Sequence, residues 1–324
     1  MNLDDDNATG EYIAHDDFVS RFFLPSLPPV RVEFGAMSHR GLVRPNNEDH
    51  FLILRLRRSL SVLTTNLPEG QVAPQADEDS YAMIVADGMG GAASGELASM
   101  QAIRVGVDLM LSAVKWTMKF NEREGREFIE KLKMYVHLMD RALIESSRAE
   151  PSLAGMGTTL TVACSAGPVA FIVHAGDSRA YLLRGDTLQQ LTRDHTLARE
   201  LIDSGRAAPD SAAARRAAHV LTNYLGGDGR GGNAEIHQLV LADGDRLLLC
   251  TDGLTDLVGD EEIGRTLVLH PEPGDACRAL VDLALGRGGR DNVTAVLGCY
   301  RLPSTMEVSP RPAESLGEST AVLE

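Results

Sequence analysis

The sequence predicts an α+β protein in which antiparallel sheets carry helices on their outer faces. Three observations lead there. The strand-like runs are short, apolar and often β-branched; neighbouring runs are joined by tight turns; and the helical stretches come in blocks. A doubly wound fold would instead alternate strand and helix regularly.

In chain order, residues 1–33 read as an N-terminal extension. It opens acidic and ends in Leu24-Pro25-Ser26-Leu27-Pro28-Pro29, which can neither continue a helix nor sit in a central strand. An apolar run covers Phe51 to Leu54, and Thr64 to Ser80, with two prolines and several acidic residues, reads as a loop. Tyr81 to Ala86 reads as a strand. Two long helices follow. The first has Leu97, Met100, Ile103, Val107, Met110 and Val114 on its buried face, the second Phe128, Leu132, Tyr135, Met139 and Leu143. Strands are predicted over Thr158–Cys164, Val169–Ala175 and Arg179–Leu183, with hairpin turns at Ala166-Gly167-Pro168 and Arg184-Gly185-Asp186. Residues 196–225 read as helical and irregular. Strands Ile236–Leu241 and Arg246–Cys250 come next, then a helix from Asp275 to Leu285 stopped by Gly286, and a last strand, Val293–Tyr300. Residues 303–324, rich in Ser, Pro and Glu, read as a disordered tail.

The net charge of −15 argues against binding nucleic acid or an anionic membrane surface. The four cysteines (Cys164, Cys250, Cys277, Cys299) have no Cys-x-x-Cys spacing and read as reduced thiols, not as a zinc site or a disulfide framework. Met1 to Gly10 is acidic and polar, unlike a signal peptide, and no apolar run is long enough to span a bilayer. A cytoplasmic location is expected.

The informative pattern is where carboxylates interrupt apolar runs. Ile84-Val85-Ala86 leads into Asp87-Gly88-Met89-Gly90-Gly91, and Phe171 to Ala175 leads into Gly176-Asp177-Ser178-Arg179. Leu247 to Cys250 leads into Thr251-Asp252-Gly253-Leu254-Thr255-Asp256, while Asp291-Asn292 immediately precedes Val293-Thr294-Ala295-Val296. A single Asp-Gly after a strand is ordinary turn chemistry. Four carboxylates at strand ends are another matter, because bringing them together is unfavourable unless cations neutralise them. Oxygen ligands without a histidine or thiolate cluster point to Mg²⁺ or Mn²⁺. Arg44-Pro45-Asn46-Asn47-Glu48-Asp49 adds two further carboxylates and a guanidinium suited to gripping phosphate.

In this order and spacing, Arg44…Asn47-Glu48-Asp49, Asp87-Gly88-Met89-Gly90-Gly91, Gly157-Thr158-Thr159-Leu160, Gly176-Asp177-Ser178-Arg179, Asp194-His195, Thr251-Asp252-Gly253-Leu254 and Asp291-Asn292-Val293-Thr294 resemble the bacterial metal-dependent protein phosphatases of type 2C. The resemblance covers residues 34–302. It implies a four-layer αββα sandwich, two antiparallel sheets flanked by antiparallel helices, with residues 196–225 as a flap beside the site. It also implies roles. Asp87 bridges two Mn²⁺ or Mg²⁺ ions; Glu48 and the Gly88 carbonyl complete one, Asp252 and Asp291 the other. Asp177, Asp252 and Asp256 match a third, weaker site. Asp49 orients solvent in the metal shell, Asn292 lies near the metal-bound water, and Arg44 binds phosphate. The implied reaction is hydrolysis of phosphoserine or phosphothreonine by in-line attack of a hydroxide bridging the two ions. The implied substrate is a phosphorylated protein, the target of a Ser/Thr kinase or the kinase itself, and a monomer is expected.

Some family members carry histidine where this chain has Met89, so the general acid is left unassigned. His195 reads as a structural histidine at a strand end. Gly227-Asp228-Gly229-Arg230-Gly231-Gly232 has the spacing of a dinucleotide fingerprint but not its strand–turn–helix context, and reads as a loop. Arg215, Arg216 and His219 in the flap are candidates for greeting a phosphopeptide. Two other function classes are weighed: a non-catalytic phosphoprotein-binding relative, disfavoured because Glu48, Asp87, Asp177, Asp252 and Asp291 are all present, and a hydrolase of small phosphoesters, disfavoured only by the resemblance.

Overall fold

Strand β3 (Gln75–Met89) explains the architecture from its own side chains. Ile84 and Ala86 face one way and Met83 and Val85 the other, as the two-residue period of a strand requires. The first pair packs on Ala98, Ala102 and Ile103 of helix α1 (Ser94–Leu111) and on Met139 and Leu143 of helix α2 (Glu122–Ala149). The second pair packs against a second sheet. A strand buried on both faces must be apolar at every position, which is why Met83 to Ala86 shows no polar alternation.

The computed structural model describes residues 30–68, 70–90, 94–112, 122–227, 229 and 231–303. The predicted extension up to residue 29, the tail from residue 304, and the expected helix residue Val114 lie outside these. One sheet has the order β1 (Arg31–His39), β12 (Val293–Arg301), β11 (Arg246–Cys250), β7 (Arg179–Arg184), β8 (Thr187–Gln190). The other runs β10 (Glu235–Val240), β6 (Val169–Ala175), β5 (Leu160–Ala166), β3, β4 (Gly157–Thr158), β9 (Leu225–Gly226), with β2 (Asp49–Ser61) also paired to β3. Every pairing is antiparallel.

The sheets meet through Met83, Val85, Ile172, Leu182, Leu247, Leu249, Val296 and Tyr300. On the far side of the first sheet, Leu248, Ala295 and Leu297 pack against helices α6 (Asp260–Leu269) and α7 (Pro273–Gly286) through Ile263, Leu267, Cys277 and Leu280. The layers are therefore helix, sheet, sheet, helix, as expected. Cutting an interior side chain such as Leu248 to alanine costs on the order of 2–5 kcal/mol. Among the described residues, three short α-helices, α3 (Leu197–Asp203), α4 (Ala212–Ala217) and α5 (Asp252–Thr255), and a 3-10 turn at Pro151–Leu153 join these elements.

Both predicted hairpin turns form, with Gly167 (φ +56°) and Gly185 (φ +57°) supplying the left-handed backbone that such turns need. Two expectations are corrected. The loop predicted over Thr64–Ser80 is shorter, because β3 already begins at Gln75: Arg57 and Ser59 on β2 pair with Asp79 and Asp77 across the strands, so polar residues extend the hairpin into solvent. The buried face of α1 is made of Gly95, Ala98, Ser99, Ala102 and Ile103, while Met100 is 46% exposed. Small residues there let the helix approach β3 more closely than a stripe of leucines and methionines would. Strand β1, which the apolar-run reading did not single out, begins at Arg31, inside the stretch assigned to the extension, and pairs with β12 over its whole length.

Candidate metal centre

The predicted carboxylates converge at one end of the two sheets. Asp49 opens β2 and is the register partner of Asp87 near the end of β3. Asp177 lies in the crossing from β6 in one sheet to β7 in the other. Asp252 follows β11 and Asp291 precedes β12, neighbours in the first sheet, where the Thr251 amide donates to the Thr294 carbonyl at 3.1 Å. Asp49 and Asp291, 242 positions apart in the chain, thus share one rim.

Close backbone approach makes this possible. A Cβ on Gly88 would lie 2.0 Å from the Gly95 carbonyl oxygen, and one on Gly253 would lie 2.0 Å from that of Asn292. The point a Gly95 Cβ would occupy lies 2.7 Å from Glu48 Oε2 and 2.9 Å from the Gly88 carbonyl oxygen. Any side chain there would fill the corner where those two oxygens meet. Ser99 on α1 closes the same corner, donating to the Glu48 carbonyl at 2.6 Å.

Hydrogen bonds orient the set. Asn292 accepts from the Glu48 amide (2.7 Å) and donates to the carbonyls of Arg40 (2.9 Å) and Asn46 (2.8 Å), tying the start of β12 to the loop that carries Arg44 and Glu48. Asp49, 4% exposed, accepts at Oδ2 from Thr251 (2.9 Å) and Thr294 (2.7 Å). Because Thr294 spends its proton on Asp49, it accepts from Ser38, which accepts from Asn47 Nδ2. The chain of donors runs Asn47 to Ser38 to Thr294 to Asp49 and ends on an anion. Thr159 holds the backbone of Asp87 from both sides, accepting from its amide (3.0 Å) and donating its own amide to the Asp87 carbonyl (2.9 Å). Arg44 donates to Asp291 at 2.6 Å from a half-exposed position.

Two oxygens, Asp49 Oδ1 and Asp252 Oδ1, are buried with no hydrogen-bond partner among the described residues. Orphaned buried anions are costly. Burial and then the neighbouring Asp49, Asp252 and Asp177 carboxylates push Asp87 well above the ordinary carboxylate range. Burial and Asp252 push Asp177 up, and burial raises Asp49 against the pull of its two threonine bonds. Asp256 is pushed up to about 6, by burial and then by Asp252. A cluster that resists ionising together, with unpartnered oxygens inside it, fits divalent cations bound by oxygen.

The histidines divide. His174, His195 and Glu235 lie close enough to suggest a metal site. However, both ring nitrogens of His174 are engaged, with Thr161 and the Arg193 carbonyl, and both of His195 are too. His195 Nδ1 accepts from the Gly176 amide at 3.2 Å and Nε2 faces Glu235, so the histidine is structural, as read from sequence, and braces the backbone beside Asp177. His219, by contrast, sets Nδ1 at 3.9 Å from Asp252 Oδ2 and 3.8 Å from Asp256 Oδ2, on a ring 65% exposed. Those two carboxylates push its imidazole up to about 9. The flap arginines Arg215 and Arg216 lie on the exposed face of α4.

Thr159, Thr251 and Thr294 stand within the sequence motifs, but nothing local marks what they do, and Gly95 and Ser99 stand outside those motifs altogether. Thr251 sits next to Asp252 and Thr294 three residues from Asp291, and that adjacency is their only signal in the sequence, whereas Thr159 has no acidic site residue near it in the chain and meets Asp87 only through the fold. Nothing in the spacing of Gly95 and Ser99 distinguishes them from other small residues on a helix face.

The fold and this carboxylate rim are those of the type 2C phosphatase class. A protein phosphatase 2C family model matches residues 71–277, and the chain belongs to that family. It is 35% identical over 82% of its length to the serine/threonine protein phosphatase PstP of Mycobacterium tuberculosis, of which it spans 44%. It is 32% identical over 80% of its length to the serine/threonine phosphatase stp of Listeria innocua, spanning 92% of that protein. The catalytic domain of PstP in complex with two manganese ions superposes with a TM-score of 0.64 at 34% identity, covering 84% of this chain and 99% of that one.

Proposed function

We propose that this chain is a protein serine/threonine phosphatase that hydrolyses phosphoserine and phosphothreonine with two Mn²⁺ or Mg²⁺ ions. The observation that carries the reading is the convergence of Glu48, Asp87, Asp252 and Asp291 on one rim, with the unpartnered Asp252 oxygen inside it. Glu48, Asp87 and the Gly88 carbonyl are assigned to one ion, and Asp87, Asp252 and Asp291 to the other. Asp177, Asp252 and Asp256 are assigned to a third, weaker ion. When bound, the cations supply Lewis acidity and a water activated for in-line attack on phosphorus.

The chain's own residues do the rest. Arg44 uses one nitrogen on Asp291, and its remaining donors are available to hold phosphate oxygens and their developing charge. Asp49, fixed by two threonines, keeps one oxygen for solvent next to Asp87. Asn292 keeps Asp291 and the Arg44–Glu48 loop in one frame. The reading assigns residues 34–302, together with the start of β1 at Arg31, to the catalytic domain, and the segments before and after it to flanks. It takes phosphoproteins of a Ser/Thr kinase, or the kinase itself, as substrates of a cytoplasmic monomer. Four free cysteines, three of them buried, accord with a reducing compartment, and no described helix is long and apolar enough to cross a membrane.

The test is phosphate release from a phosphothreonine peptide with added Mn²⁺, comparing the natural chain with Asp87→Asn and Asp252→Asn. Release that needs Mn²⁺ and drops at least a hundredfold in both variants supports the assignment; equal release from the variants sinks it.

A further inference from the structure

The outer carboxylates Asp252 and Asp256 face a side chain that the oxygen-only ligand set does not include. We propose that His219 of the flap is a nitrogen ligand to the cation held by Asp252 and Asp256, so that this outer ion clasps the flap onto the catalytic rim. The inference rests on reading the acidic rim as a cation centre and adds to it one residue and one consequence.

Geometry carries it. His219 Nδ1 and one oxygen from each carboxylate all lie within 4.8 Å of one another. The nitrogen stands 3.8 and 3.9 Å from the two oxygens, too far for a hydrogen bond. A cation that binds nitrogen and oxygen at roughly 2.0–2.2 Å holds its donors about 3 to 4.4 Å apart, and the observed separations fall in that interval. The three donors also come from two independent parts of the fold. Asp252 opens the short helix after β11 and Asp256 caps its end, one turn apart, with the Asp256 amide donating to the Asp252 carbonyl at 2.8 Å. His219 arrives from the flap.

The flap places that ring through a built stem. The Leu197 amide donates to the Val220 carbonyl and the Thr222 amide to the His195 carbonyl, both at 2.8 Å, with Thr196 and Leu221 bridged between them. The stem is fixed in turn to the backbone beside Asp177, since the His195 amide donates to the Gly176 carbonyl at 2.8 Å. His219 is the residue just before this ladder, so its backbone is held relative to the carboxylates although its ring is exposed.

Two consequences follow. An imidazole among carboxylates favours Mn²⁺ over Mg²⁺, because nitrogen donors suit transition metals and Mg²⁺ prefers oxygen. The ion also links the flap to the rim and restrains α4.

The experiment titrates the full chain with Mn²⁺ alone and reads hyperfine coupling of bound Mn²⁺ to nitrogen, with histidine labelled in ¹⁵N. All other assigned ligands are oxygens, so the coupling reports His219 alone. Expected are histidine coupling on the weaker site, its loss in His219→Ala, and a roughly tenfold or greater loss of Mn²⁺ affinity at that site, with Mg²⁺ affinity changed less than about twofold. Cleavage by trypsin after Arg215 or Arg216 is expected to slow with Mn²⁺ in the natural chain and not in the variant. Two bound ions without histidine coupling would overturn the inference and leave the phosphatase reading intact. So would tighter Mn²⁺ binding in His219→Ala, which would make the histidine a competing cation. Failure of the natural chain to bind Mn²⁺ at all would overturn both.

Discussion

Asp49 and Asp87 stand directly opposite one another across β2 and β3, two carboxylates on the same face of an antiparallel pair. Side chains so placed are about 5 Å apart at Cβ, and like charges there are destabilising. The β-ladder alone therefore imposes a repulsion at the centre of the site that only a proton or a cation relieves.

Asp87→Asn is expected to raise the melting temperature of the metal-free chain, by an amount corresponding to about 1 kcal/mol, while abolishing the further rise that Mn²⁺ gives the natural chain. Thermal melts with and without Mn²⁺ check both halves. Because burial and mutual repulsion hold Asp49, Asp87 and Asp177 above their unfolded-state values, metal-free stability from this cluster is greatest at low pH. It declines as pH rises above about 4, and Mn²⁺ is expected to remove the decline.

Gly253→Ala is expected to separate Asp252 from Asp291. Its Cβ would lie 2.0 Å from the Asn292 carbonyl, so the start of α5 or of β12 must move. A stability loss of about 1–3 kcal/mol and at least a tenfold fall in Mn²⁺-dependent phosphate release are expected. Gly259→Ala, which meets nothing within 4 Å, serves as the control and should change neither.

Thr294→Val removes the last donor in the chain from Asn47 to Asp49 and leaves the Ser38 hydroxyl without its acceptor. The cost is about 1–3 kcal/mol. Asp49 loses a bond that pulls its pKa down, so the acid limb of the pH–rate profile is expected to move to higher pH. A pH profile of kcat/KM on a phosphopeptide measures this directly.

His174 gives a pH dependence away from the metal rim. Burial first, and then the neighbouring His195, push it down to about 3, so it is neutral in the fold and charged in the acid-unfolded chain. The unfolded state binds the extra proton between the unfolded value near 6.5 and about 3. The contribution is thus present above pH 6.5 and lost on acidification, at about 1.4 kcal/mol per pH unit inside that window. Urea melts at pH 7 and pH 5 are expected to show this loss, reduced in His174→Gln.

The sequence by itself determined antiparallel sheets with helices on their outer faces and the composition of the rim, while the four-layer order was implied by the family resemblance. Apolar runs with period two and 3.6 are local consequences of which faces must leave water, so the unbroken apolar stretches Met83 to Ala86 and Leu247 to Cys250 are those of buried strands. The acidic residues at their ends were legible because a charge terminates such a run. Only the tertiary structure decided which residues meet. Asp49 faces Asp87 because of a register, Gly95 stands at the Glu48–Gly88 corner because α1 lies flat on small residues, and Thr294 reaches Asp49 from 245 positions away. His219 belongs with these. In sequence it is one polar residue in an irregular flap, and only the stem that pairs Leu197 with Val220 brings its ring to Asp252 and Asp256. Local pattern reports what each segment must bury; contact between distant segments depends on register and close approach, which no single segment encodes.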